Sequence, residues 1–132
     1  MKSRETLIRL KRFQSDEKRR RVAQIEAMIG EFGRMVSELD REIAGEEQRS
    51  GNSDPSHFAY STYARAARTR RDNLQNSANE LHEQLAAANA ELEEARAELQ
   101  KVESLDGREK GMERSGGMPA AVTALALDPV RI

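Results

Sequence analysis

The chain has 132 residues, with 22 Lys and Arg against 23 Asp and Glu, and no cysteine. That balance implies no global attraction to nucleic acid or to an anionic surface, and it excludes a disulfide framework and thiol chemistry. Charged residues make up 34% of the chain and aromatic residues only 4%, a mixture that with helical periodicity reads as coiled coil or long helix rather than a globular core. One domain is expected at this length. The opening MKSRETLIRLKRF has no apolar run long enough for a signal peptide or a membrane span.

The periodicity predicts a first helix over 2–46. Its seam is Val22, Ile25, Ile29, Phe32, Val36, Leu39 and Ile43, spaced alternately by three and four. Traced towards the N-terminus, the same phase meets Lys18, Ser15 and Lys11 before Ile8, so the early turns pack less well or shift phase. Leu7, Leu10 and Phe13 lie off that line. Gly30 and Gly33 also lie off the seam, each at a cost of about 1 kcal/mol relative to Ala.

A turn is expected over 47–56. Gly and Asn in SGNSDP tolerate positive φ, and Asp54 can cap a helix that begins at Pro55 or restarts at Ser61. The second helix is expected over 57–106. Leu74, Ala78, Leu81, Leu85, Ala88, Leu92, Ala95, Leu99 and Val102 form an unbroken heptad seam, set among strong helix formers and free of Gly and Pro. Such a stripe needs a partner helix, and the first helix supplies one.

The fold class that follows is all-α: a long two-helix antiparallel coiled-coil hairpin, residues 1–106, followed by a disordered, flexible tail over 107–132. The expected alignment pairs Ile43 with Tyr60, Leu39 with Ala64, Val36 with Ala67, Ile29 with Leu74, Ile25 with Ala78 and Val22 with Leu81. Large residues then often face small ones. Charge favours the antiparallel sense. Residues 1–21 hold nine basic and three acidic side chains, and residues 80–103 hold seven acidic and two basic ones. Each exposed pair contributes little, but the sum selects an orientation. In the tail, Gly107, Gly111, Gly116, Gly117 and Pro119 break the helical pattern before the nearly uncharged AAVTALALDPVRI.

No constellation for catalysis stands out. His57 falls in the turn region and His82 off the seam, each without a second His or Cys nearby. Glu93 and Glu94 are adjacent on a helix and point apart, so they form no acid–base pair. Phosphate loops, nucleophile elbows and zinc spacings are absent from the sequence. The expectation is therefore no enzyme, no cofactor and no metal. Lys18, Arg19, Arg20 and Arg21 read as a solvated helix face rather than a nucleic-acid contact. Phe58, Tyr60 and Tyr63 are three of the five aromatic residues. Tyr60 fits the seam, whereas Phe58 and Tyr63 do not. Together with Arg65 they are the candidate partner-binding residues, since aromatic side chains are enriched at interfaces.

The runs MKSRETLIRLKRFQSDEKRRRVAQIE and SDPSHFAYSTYARAARTRRDNL resemble the flagellar type III export protein FliJ family, over about residues 1–106. The resemblance implies a non-enzymatic coiled-coil stalk, similar to the stalk subunit of rotary ATPases. It implies three partners: the hexameric export ATPase, the membrane export gate protein and export chaperones. A cytoplasmic protein, peripheral at the inner face of the cell membrane, is expected on the same ground, and the two matched seams predict a hairpin that is monomeric outside its complex. A generic coiled-coil scaffold or the stalk of an injectisome-type secretion system is the alternative. The chain departs from the family after Gly107, where charge and heptads stop and the family pattern continues.

Overall fold

The computed structural model describes residues 2–114. Two long helices make up the fold: α1, Lys2–Ser50, and α2, Thr62–Arg114. They pack antiparallel as a hairpin around the two heptad stripes. Ile8, Val22, Ile25 and Ile43 of α1 are buried, as are Ala64, Ala67, Ala78, Ala88 and Leu92 of α2. The remaining seam leucines and valines are half-buried, as expected where one stripe covers one stripe.

Both helices differ in extent from the sequence expectation. Gly45 does not end α1, which runs on to Ser50. The stop comes at Gly51, whose φ of +72° is the left-handed geometry that glycine adopts without a Cβ penalty. Its amide donates to the Glu47 carbonyl at 3.0 Å, an αL closure of the helix end. At the far end α2 passes through Gly107 and Gly111 to Arg114. Glycine weakens a helix by about 1 kcal/mol without ending it, and ion pairs Arg4–Glu109 (3.1 Å) and Asp106–Lys110 (3.2 Å) flank this stretch. The expected tail over 107–114 is thus helix; the rest of that tail lies outside the described residues.

The alignment of the two helices is displaced by one heptad from the expected one. Lys11 pairs with Glu98 and Lys18 with Glu91, each at 2.8 Å. Further along, Asp40 meets Arg71 at 2.8 Å. These pairs place Val22 level with Ala88 rather than Leu81, Ile25 with Leu85 rather than Ala78, and Ile43 with Ala67 rather than Tyr60. Val22 and Ile43 face alanines and Ile25 faces a leucine; the seams still meet, because a seven-residue slip returns every seam position to a seam position. The cause is the turn, which occupies residues 51–61 rather than 47–56.

Contacts divide the chain into two units. The unit of residues 20–90 contains the turn and the more apolar part of the seam. Residues 2–19 with 91–114 form the other, in which Lys11, Ser15 and Lys18 occupy seam positions of α1. Ser15 is buried there, while the two lysines reach out to glutamates at the seam's edge.

Candidate functional site

The turn and the first turn of α2 hold the four candidate residues, Phe58 and Tyr60 in the turn and Tyr63 and Arg65 on the helix, and their surroundings differ sharply. It is built from short polar side chains that hydrogen-bond their own backbone. Asn52 Oδ1 accepts the Asp54 amide at 3.0 Å. Asp54 Oδ1 accepts from the Ser56 amide at 3.0 Å and the Ser56 hydroxyl at 2.7 Å. Those two bonds hold the Asp54 carboxyl below its usual range, the side-chain bond contributing most. A depressed carboxyl stabilises the turn above the ordinary carboxylate range, and that contribution is lost as pH falls through the depressed value. Asp54 therefore caps the turn rather than a helix at Pro55. The helix cap is Ser61, whose hydroxyl accepts the Ala64 amide at 3.2 Å.

His57 is a second organising residue. Its Nδ1 accepts the Ala59 amide at 3.0 Å and lies 3.2 Å from the Asn52 side-chain nitrogen. The ring stacks on Phe58 with centroids 4.7 Å apart. The Tyr60 amide donates to the His57 carbonyl at 3.0 Å.

Of the four candidates, Tyr60 is buried, at 4% exposure. Its hydroxyl donates to Glu47, and burial first, then that carboxylate, raises its pKa. The Arg65 guanidinium lies over the Tyr60 ring at 5.3 Å and donates to the Pro55 carbonyl at 3.0 Å. Tyr60 and Arg65 are thus brought together as a clasp inside the turn. Tyr63 stands on the first turn of α2, 55% exposed, and its hydroxyl donates to Glu42 at 2.9 Å. That hydrogen bond, followed by the Glu42 charge, raises the Tyr63 pKa. Phe58 is 94% exposed. The structure does not bring it onto the Tyr60–Arg65 clasp; its ring contact is His57.

The sequence shows the acidic side of this site only as charge: Glu42, Glu46 and Glu47 belong to a half of the first helix expected to face Arg65, Arg68, Arg70 and Arg71, and none of the three is a candidate residue. Glu46 and Glu47 sit in the last turns of α1, where the helix dipole disfavours negative charge. Arg49 and Ser61 donate to Glu46 at 2.8 and 3.0 Å, and those bonds, Arg49 first, lower its pKa. Tyr60 and Arg68 serve Glu47, the latter at 3.6 Å. Two glutamates placed against the dipole are the signal that could have pointed to them.

The arrangement is a loop braced by its own hydrogen bonds, with Phe58 presented to solvent from the loop and Tyr63 from the first turn of α2. Among the described residues no group of three or more His, Cys, Asp or Glu could hold a metal ion. No helix among them is long and apolar enough to cross a membrane. Comparison of the chain with protein-family models, curated proteins and solved structures finds no match.

Proposed function

We propose that this hairpin is the non-enzymatic stalk of a flagellar-type protein export apparatus, linking a hexameric export ATPase to the membrane export gate and to export chaperones. The observation that carries this reading is the resemblance to the FliJ family over residues 1–106. The antiparallel hairpin, which that resemblance implied, supports it. So does the contrast in surface chemistry between the two units. The turn-bearing unit presents Phe58 on a loop braced by its own hydrogen bonds and Tyr63 on the first turn of α2. Rigid aromatic side chains lose little entropy on binding and suit a compact interface. The unit that holds residues 2–19 has lysines in its seam and can adapt its packing within a ring-shaped partner. In this reading the turn meets the export gate, while Tyr60 and Arg65 keep the turn in shape.

Co-purification with the export ATPase and gate tests the proposal. The wild-type chain is expected to retain both. Phe58→Ala with Tyr63→Ala is expected to keep its helicity, hold the ATPase and lose the gate, with swimming impaired. Failure to retain the ATPase overturns the stalk reading. Undiminished gate binding and swimming in the double variant overturn the role given to the turn.

A further inference from the structure

The two flanks of the unit formed by residues 2–19 and 91–114 are chemically unlike. On one flank Arg12 donates two hydrogen bonds to Glu103, at 3.1 and 3.2 Å, closing the edge with an ion pair. The other flank is a groove with a cavity volume of about 590 Å³, lined by Phe13, Gln14 and Ala95 together with four glutamates and Lys18. Leu7 lies seven residues before Gln14, and Leu105 seven after Glu98. Heptad spacing therefore extends the groove's flank to both leucines. Leu7, Leu10, Phe13 and Leu105 are 40%, 49%, 58% and 46% exposed. Four large apolar side chains thus stand in solvent beside four carboxylates, of which Glu98 is paired with Lys11 and Glu91 with Lys18.

The geometry points to this flank as the docking site of a third helix: an amphipathic, basic helical segment of a partner protein, with leucine-like residues at spacings of three, four and seven and Lys or Arg at their edges. Two antiparallel helices form a groove whose ridges accept a helix laid along it. Leu7, Leu10 and Phe13 repeat every three residues, which matches the ridge of such a segment. Charge selects the sign of the partner. Glu17, Glu91, Glu94 and Glu98 line the groove, against which stand two ammonium groups, Lys18 on Glu91 and Lys11 on Glu98, each at 2.8 Å, so the groove keeps an excess of negative charge. A second copy of the chain fits less well. A two-fold axis brings the same patch onto itself, setting glutamates opposite glutamates or leucines, and neither offsets their charge.

The test uses the full chain and two labelled synthetic helical peptides with the same leucine stripe, one edged with lysine and one with glutamate, read by fluorescence anisotropy. The lysine peptide is expected to bind with one-to-one stoichiometry, more weakly as salt rises. Leu10→Ser with Phe13→Ser is expected to weaken it about tenfold, as for loss of a central apolar anchor. Glu94→Lys is expected to weaken the lysine peptide and improve the glutamate one. These positions are exposed, so circular dichroism of each variant is expected to match the parent. Equal binding of both peptides, or indifference to the Leu10 and Phe13 changes, overturns the proposal. Concentration-dependent dimerisation abolished by Leu7→Ser with Leu105→Ser overturns it in favour of a second copy.

Discussion

At the turn, aromatic residues two positions apart have opposite surroundings. Tyr60 spends its ring on Arg65 and its hydroxyl on Glu47, inside the loop. Phe58 has 94% of its surface in water and a histidine against one face. Tyr60→Ala is therefore expected to cost about 2–4 kcal/mol, since it removes a buried ring and leaves Glu47 short of a donor. Phe58→Ala is expected to fall within about 0.5 kcal/mol of the parent. Thermal midpoints by circular dichroism check both, and similar shifts for the two would mean that Phe58 is part of the packing. The heptad phase placed Tyr60 inside and Phe58 and Tyr63 outside from the sequence alone. It could not show that Arg65 folds back over the loop, because its partner is a backbone carbonyl, at Pro55, and carbonyls leave no mark in a sequence.

At the scale of single elements, the two seams were legible because apolar spacing of three and four admits one reading over so many turns. Their ends were not. Gly45, Gly107 and Gly111 look like stops, yet all three lie within helices, and Gly51 supplies the stop for α1. Glycine ends a helix where the chain needs the left-handed conformation, not wherever it occurs. A Cβ added at Gly107 or Gly111 would meet nothing within 4 Å. Gly107→Ala is accordingly expected to stabilise the end of α2 by up to about 1 kcal/mol. Slower amide hydrogen exchange over residues 104–111 would register the gain, and faster exchange there would show that the glycine is required.

At the scale of the whole hairpin, charge in blocks predicted the antiparallel sense but not the alignment. Blocks of some twenty residues are insensitive to a slip of one heptad. Individual pairs are not: the expected alignment sets Arg12 near Arg96, whereas the structure gives it Glu103 at 3.1 Å. Each exposed pair is worth under about 1 kcal/mol. The pairs nonetheless disfavour the neighbouring alignment together, where Arg12 meets Arg96 and Lys18, Asp40 and Arg4 lose their partners to Gln84, Ala64 and Val102. The misplaced turn, four to five residues early, was enough to choose the wrong layer.

A seam of interchangeable layers is also a ruler marked in heptads. Adjacent marks are about 10 Å apart, and the loop over 51–61 with its edge charges is what tells them apart. If that loop is cut, by a protease site placed at Ser53, each arm is free to travel to the next mark. Spin labels at Arg9 and Lys101, level in the intact hairpin, should then report a second distance population, and its share should grow as salt screens the edge pairs. A single unchanged distance after cleavage would mean that packing within the seam, and not the loop, sets the gauge.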